Sequence, residues 1–221
     1  MTGALGIRPM PASVDAGLLA GIARVPTSTI GHARLWGFCR GDLRPLFDGP
    51  AVAGTAVTLA LPGPDGALLH HALGLLRPGD VLAIDRLHDD VHACIGGITA
   101  RAAKARGAAA IVVDGPVTDS MELREIGLPI WCRGTSPRTT RRLGLGGRLN
   151  ATISVAGAVV VPGDILLCDM DGVLCLPAAD ATEELARAAA HDAREAAIIA
   201  ALDAGKTLDE ILPALAPGAR R

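Results

Sequence analysis

Asp119 is the first residue of this chain whose type and position could do chemistry. It follows the apolar run Ile111-Val112-Val113 and a Gly-Pro turn, so a buried strand should deliver its carboxylate to the rim of a sheet. A hard cation such as Mg²⁺ or Mn²⁺ accepts one protein carboxylate together with waters and leaves positions for a chelating ligand. Asp119 is therefore a candidate metal ligand. Its alternative role is to cap the helix that begins at Ser120.

The segment 85–92 is dense in ionisable groups, which are Asp85, Arg86, His88, Asp89, Asp90 and His92. An imidazole oriented by a neighbouring carboxylate can exchange protons near neutral pH, so His88 or His92 is a candidate general acid or base. The guanidinium fork of Arg86 could hold a substrate carboxylate. The alternative is a solvated loop. We favour function for the segment as a whole, and His92 over His88, because His92 is closer in sequence to the glycine pair that follows.

That glycine pair belongs to the segment Gly96-Gly97-Ile98-Thr99, which opens a predicted helix. Free backbone N–H groups and the helix dipole favour an anion at such a position, and no side chain at either glycine obstructs it. These four residues are candidates for binding a substrate carboxylate. A flexible helix start without a ligand is the alternative.

The elements around these segments predict an α/β fold with a mixed sheet. An apolar strand over 81–85, an Ala-rich helix over 98–106 ended by Gly107, and the strand at Ile111 form a strand-helix-strand unit, which predicts a parallel pair with a right-handed crossover. Further helices are predicted over 12–24, 30–38, 68–76, 181–205 and 207–215. Further strands, partly antiparallel, are predicted over 52–61, 128–132, 151–161, 164–169 and 173–176.

Composition narrows the class of partner. The 221 residues are half hydrophobic, with no Tyr, two Phe and two Trp, and 21 basic against 23 acidic residues give a formal charge of −2. The chain therefore has few aromatic side chains on which bases could stack and no excess of positive charge to bind a phosphate backbone. Both observations argue against nucleic acid as a partner. A small molecule or a protein is the expected partner.

The cysteines and the hydropathy pattern indicate the expected compartment. Five cysteines, an odd number with no close C-x-x-C pair, argue against a disulfide framework or a structural zinc site. No signal peptide or membrane span is predicted, because the most apolar windows are strand-length or carry charges. The expectation is a cytoplasmic protein that is not bound to a membrane.

Five motifs occur in an order that resembles the RraA-like family, which includes class II 4-hydroxy-4-methyl-2-oxoglutarate aldolases, oxaloacetate decarboxylases and a regulator of ribonuclease E activity. The resemblance runs from about residue 26 to 212. The motifs are Gly54-Thr55-Ala56-Val57-Thr58, Arg77-Pro78-Gly79-Asp80-Val81-Leu82, Val112-Val113-Asp114-Gly115-Pro116-Val117-Thr118-Asp119, Val161-Pro162-Gly163-Asp164 and the run from Asp169 to Pro177.

The resemblance implies a compact β/β/α sandwich, one domain over 1–221 with its core at about 26–212. It also implies a homotrimer or hexamer whose active site lies at the subunit interface. The aldolase signature is an acid, twenty intervening residues, then Arg-Asp. In this chain Gly97 occupies the acid position, Thr118 the Arg position, and Asp119 matches the metal-binding Asp. Glu195 matches a Glu that reaches the neighbouring subunit's site, with a surface ion pair as the alternative.

These observations together predict a metal-assisted lyase. It would act on a small 2-oxo or β-oxo carboxylic acid by aldol cleavage or decarboxylation through a metal-stabilised enolate. Two alternatives stay open, namely a non-catalytic protein-binding regulator on the same trimeric scaffold, favoured by Gly97 and Thr118, and an isomerase or hydratase that uses other enolate chemistry.

Overall fold

The structure is a computed structural model, and it describes residues 5–212. Its central strand, β3 (Val52–Ala60), begins a parallel series that continues through β4 (Asp80–Asp85), β5 (Ala110–Asp114) and β6 (Ile130–Cys132). The other strands are β1 (Leu5–Ile7), β2 (Arg44–Pro45), β7 (Gly147–Leu149), β8 (Ile153–Val155), β9 (Ala158–Val160), β10 (Ile165–Cys168) and β11 (Val173–Leu176). The helices are α1 (Ala16–Ile22), α2 (Thr27–Gly31), α3 (Ala67–Leu75), α4 (Gly97–Ala105), α5 (Ser120–Ile126), α6 (Ala181–Asp203) and α7 (Leu208–Ile211), with a 3₁₀ turn at Ala178–Asp180.

The sheet is mixed because antiparallel strands flank the parallel series on both sides. On the far edge of β3, β10 pairs antiparallel with its first half and β7 with its second half. β1 continues the sheet parallel to β7, β11 pairs antiparallel with β10, and β2 closes the opposite edge against β6. The short strands β8 and β9 form a separate hairpin.

Alternate residues of the central strands face two different layers. In β4, Leu82 and Ile84 pack on helices α3, α4 and α5, whereas Val81 and Ala83 pack with residues of the β8–β9 hairpin. A strand buried on both faces is continuously apolar, as β4 and β5 are. The molecule is therefore a single domain of helices, a mixed sheet and a hairpin, which confirms the predicted α/β architecture.

The first two helices and α6 enclose a smaller cluster at one side of the sheet, with β10 and β11. A buried ion pair holds α6 in place, since Nη1 of Arg34 donates to Oε1 of Glu184 over 2.7 Å and both side chains are almost inaccessible to solvent. The buried residues of α6 are Ala181, Glu184 and Ala188, so burial is confined to the first third of this helix.

Three predicted elements are wrong in extent or type. The helix predicted over 30–38 ends at Gly31, because Phe38 forms an antiparallel bridge with Leu174 of β11. The N–H of Cys175 donates to the carbonyl of Gly37 beside this bridge. The strand predicted over 151–161 is two strands, since Ala156 and Gly157 adopt positive φ and turn the chain back. The first helix is also shorter than predicted, Ala16–Ile22.

The predicted strand-helix-strand unit is confirmed, with β4 and β5 parallel and α4 between them. Of the short helix predicted over 207–215, α7 forms 208–211, and 213–215 lie outside the described residues. All five cysteines are free thiols. Among residues 5–212, no helix combines the length and apolarity that crossing a bilayer requires.

Candidate active site at the carboxyl edge of the sheet

The candidate site forms where β4 and β5 end side by side. Asp85 and Asp114 are paired in register as the last residues of these strands. The two following loops pair again further on, because Ile95 forms a parallel bridge with Val117 and its carbonyl accepts the N–H of Thr118 at 2.9 Å. This second pairing brings the starts of α4 and α5 together. We call residues 96–101 and 118–122 the glycine site, and residues 85–92 the histidine loop.

Asp119 does not use its side chain to cap the helix that follows it. It stands at the position before α5 with φ +54° and ψ +39°, a left-handed conformation that few residues other than glycine adopt, although Asp tolerates it better than most. Its Oδ2 instead accepts the N–H of Gly97, at 3.1 Å, from the neighbouring helix. The capping alternative is therefore wrong, and the exposed carboxylate faces the start of α4.

The start of α4 leaves two backbone donors for a ligand. Oγ1 of Thr99 accepts the N–H of Gly96 at 2.9 Å, and Asp119 accepts that of Gly97. The N–H groups of Ile98 and Thr99 have no hydrogen-bond partner within the described part of the chain. Two of the four predicted anion-binding residues are thus committed internally, while Ile98 and Thr99 present the donors that a carboxylate could accept.

The donor set suits a hard cation held by few protein ligands. Asp119 offers an exposed carboxylate, and the hydroxyl of Thr118 lies 3.4 Å from its Oδ1. Across residues 5–212, no group of three or more His, Cys, Asp or Glu side chains is arranged to bind a metal ion. Mg²⁺ commonly keeps several waters and takes only one or two carboxylates, so Asp119 fits this mode of binding and a dedicated protein cage is not required.

The histidine loop is built around Arg86, whose side chain is fully buried. Its Nη2 donates to the carbonyl of Gly63, to Oδ2 of Asp89 at 3.1 Å and to the carbonyl of His92 at 3.4 Å. Its Nε and Nη1 atoms are buried and have no partner among residues 5–212. Arg86 thus binds the loop itself, and its predicted role as a clamp for a substrate carboxylate stays a prediction without an exposed guanidinium to support it.

Asp89 orients the imidazole of His92. The Nδ1 atom of His92 lies 3.0 Å from Oδ2 of Asp89, and the ring is 30% exposed. Burial acts to raise the pKa of the Asp89 carboxyl. N–H donation from Val91 and His92 and the charge of Arg86 outweigh burial, so this pKa is lowered below its ordinary value. A carboxylate that stays ionised and holds Nδ1 leaves Nε2 as the nitrogen that could exchange a proton.

His88 lies at a cavity beside the last residues of β4 and β5. It is exposed, has φ +69°, and lines a cavity of about 360 Å³ with Asp85, Asp114 and Arg133. Arg133 binds the carboxylates of Asp114 and Asp42 on the wall of this cavity. None of the residues of the glycine site lines it. Asp89, whose carboxylate holds the His92 ring, also lines this cavity.

Glu195 lies apart from the glycine site within one chain. It is exposed on α6, which packs mainly on α1 and α2 rather than on α4 or α5. A role at the site would need a neighbouring subunit, so this assignment stays a prediction.

Sequence reasoning missed two charged residues of the glycine site. Glu122 lies one turn into α5 and Arg101 one turn into α4, and Nε of Arg101 donates to Oε1 of Glu122 at 3.1 Å. The signal was their spacing, three residues after Asp119 and four after Gly97, which places each on the face of its helix that carries the site.

The aldolase and RraA model for the RraA-like family matches residues 30–175 of this chain. A protein of Halalkalibacterium halodurans, provisionally named a 4-hydroxy-4-methyl-2-oxoglutarate aldolase, is 33% identical over 180 residues. This match covers 79% of the chain and 85% of that protein.

Solved structures of RraA proteins share the fold. Streptomyces coelicolor RraAS2, described as an unusual member of the RNase ES inhibitor RraA protein family, superposes with a TM-score of 0.75 at 30% identity, over 85% of this chain and 96% of that one. The RNA-processing inhibitor RraA of Thermus thermophilis gives a TM-score of 0.57 at 33% identity, over 62% and 82% of the two chains.

Proposed function

The chain belongs to the RraA-like family, and on that premise we propose that it is a metal-assisted carbon–carbon lyase acting on a small 2-oxo or β-oxo carboxylic acid, by aldol cleavage or decarboxylation. The observation that carries the proposal is Asp119, whose exposed carboxylate does not cap its own helix and instead accepts the N–H of Gly97 at the start of α4. The relative named as an aldolase supports the reaction class.

Asp119 would hold the cation, Mg²⁺ or Mn²⁺, and Thr118 would support it through its hydroxyl. When bound, such an ion supplies Lewis acidity that polarises a ketone and favours the enolate shared by aldol cleavage and decarboxylation. The N–H groups of Ile98 and Thr99 would bind the carboxylate of the substrate. The space beside Gly96 and Gly97 is occupied by the carboxylates of Asp119 and Glu122. His92 would move the proton, with Asp89 keeping its ring in place.

The test measures pyruvate release from oxaloacetate and from 4-hydroxy-4-methyl-2-oxoglutarate, with Mg²⁺, with Mn²⁺ and with chelator. We expect turnover only with metal, and a rise in the thermal unfolding midpoint when metal is added. Asp119→Ala should abolish both effects and lower the metal-free midpoint only slightly, because Ala is less tolerant of the left-handed conformation than Asp and the N–H of Gly97 loses its acceptor. Equal metal responses in wild type and Asp119→Ala would refute the assignment.

A second candidate is a non-catalytic regulator that binds another protein. The absence of an acid at Gly97 and of an Arg at Thr118 favours it, as does the similarity to proteins described as RNase inhibitors. It predicts no metal response and no turnover on a panel of oxo acids. Metal binding without bond cleavage would instead indicate isomerisation or hydration through an enolate.

We propose further that the chain assembles as a homotrimer or hexamer in the cytoplasm. Several large apolar side chains are solvent-exposed in the single chain, among them Leu35, Trp36, Ile98, Met121 and Val159, and association would bury such surface. Five free thiols suit a reducing compartment. Light scattering at micromolar concentration should give a multiple of three chain masses. Mixed Asp119→Ala and Glu195→Ala subunits should recover activity if Glu195 serves a neighbour's site.

A further inference from the structure

The carboxylate of Glu122 occupies the space that a side chain at Gly97 would need. A Cβ atom built on Gly97 would lie 2.2 Å from Oε2 and 2.5 Å from Oε1 of Glu122, closer than any real Cβ contact. Gly97 is itself buried, so the backbone at the start of α4 is covered by this carboxylate. Glycine at position 97 is what allows a carboxylate from the other helix to approach so closely.

Gly97 also binds the second carboxylate of the glycine site, that of Asp119. The N–H of Gly97 donates to Oδ2 of Asp119, while its open side faces Glu122. A Cβ on Gly96 would likewise lie 2.6 Å from Oδ2 of Asp119. Two acidic side chains at the start of α5 therefore converge on two glycines at the start of α4. One of these carboxylates, that of Asp119, is fixed by a backbone donor.

Arg101 holds Glu122 in this position. Its Nε and Nη2 atoms each lie 3.1 Å from Oε1, which leaves Oε2 on the side of Gly97. The two side chains are 61% and 43% exposed, so the pair contributes under about 1 kcal/mol to stability. Changes to Glu122 should therefore leave the fold intact and report on its local role.

We propose that Glu122 is a positioning residue of the metal site, supplying from α5 the carboxylate that the family signature places at position 97. It would accept hydrogen bonds from water in the coordination shell of a cation at Asp119, and Arg101 would fix its orientation. Carboxylates in this outer position commonly change metal affinity 10- to 100-fold when removed. The inference rests on the proposed function, because it assumes a cation at Asp119.

The first experiment measures Mn²⁺ affinity of the full-length protein by titration followed by electron paramagnetic resonance, without substrate. Glu122→Ala should weaken Mn²⁺ binding by about 10- to 100-fold. The matched control is Glu125→Ala, since Glu125 is an exposed carboxylate on the same helix. It should bind Mn²⁺ as the wild type does. Equal affinities of the two variants would overturn the proposal.

The second experiment moves the carboxylate to the other helix. In Gly97→Asp/Glu122→Ala the new side chain enters the volume that Glu122 has left, and Mn²⁺ affinity should recover most of the loss. Gly97→Asn/Glu122→Ala has the same shape without the charge and should not recover. Equal affinities of the Asp and Asn double variants would contradict the role of charge at this point.

The outcomes separate this inference from the proposed function. A wild type that binds no Mn²⁺ refutes the metal site itself, and Glu122 with it. A wild type that binds Mn²⁺ and loses binding with Asp119→Ala, but not with Glu122→Ala, refutes only the inference about Glu122. If a double variant fails to fold, the comparison of Glu122→Ala with Glu125→Ala still decides.

Discussion

The histidine loop and the glycine site follow neighbouring parallel strands at one edge of the sheet, yet they use their charges in opposite ways. In the histidine loop, Arg86, Asp89 and His92 bind one another, and the arginine is fully buried. In the glycine site, Asp119 is exposed, and two backbone donors lack a partner among the described residues. The first loop is a closed network, whereas the second offers groups to a ligand.

The difference teaches that density of charge is a poor guide to a binding site. The histidine loop has the greater density in the sequence, but most of its polar groups are used to fix its own backbone, including the strained Leu87 and His88. The glycine site has fewer charges and more unused hydrogen-bonding capacity. A ligand can bind only to groups that folding has left available.

The largest expected effect concerns His92, a member of the closed network. Asp89 holds its Nδ1 atom, and Nε2 is the ring nitrogen that could still exchange a proton. We expect His92→Ala to lower turnover by about 10²- to 10⁴-fold, as losing a general acid or base does. The measurement is steady-state kinetics of pyruvate release with saturating metal. His191→Ala, on the distant helix α6, should have no effect. If His92→Ala keeps full turnover and His88→Ala loses it, His88 is the general acid or base. If both variants keep full turnover, the histidine loop has no catalytic role.

The comparison can also be tested by replacing one arginine in each region with alanine. Arg86→Ala should destabilise the protein by about 3–5 kcal/mol, because it removes the buried cation that pairs with Asp89 and the donor to the carbonyl of Gly63. Arg101→Ala should change the free energy of unfolding by less than about 1 kcal/mol, because its pair with Glu122 is exposed. Urea unfolding of both variants gives the comparison directly. Similar losses would show that the glycine site is as closed as the histidine loop.

The smallest expected effect is on acid stability. Because the pKa of Asp89 is lower in the folded chain than its ordinary value, the ionised group stabilises the fold at neutral pH. That contribution is complete above the unfolded pKa of aspartate, about 4, and is lost as the pH falls through the lowered folded value. Asp89→Asn should therefore show a shallower fall of stability with acid than the wild type, measured by urea unfolding at several pH values. Parallel curves would contradict the linkage.

Much of the fold followed from local patterns in the sequence. The run at Val81 and the run at Ile111 are strands with a helix between them because continuous apolar residues and a glycine at the helix end leave few other choices. The segment 30–38 could not be predicted in this way. Its second half is set by hydrogen bonds to β11, more than 130 residues further along the chain, which the local pattern does not contain.

The candidate site was predictable in part for the same reason. Asp119 and the pair Gly96-Gly97 were identified from motifs, and the structure places them in hydrogen-bond contact. Arg86 was expected to face a ligand, but its environment depends on the carbonyl of Gly63, which no local signal connects to it. Glu122 was overlooked because its position matters only once α4 and α5 are side by side.

Only the first third of helix α6 is buried against the rest of the described chain. The 23 residues of this helix span about 34 Å at 1.5 Å per residue, and Ala188 is the last of its buried residues. Glu195 lies seven residues after Ala188, about 10 Å further along the helix axis. Inserting one residue between Ala188 and Glu195 would advance Glu195 by about 1.5 Å and rotate it by about 100° around the helix axis. If Glu195 serves a neighbouring site, the spacing between subunits is therefore encoded in the register of this helix as much as in the identity of the residue.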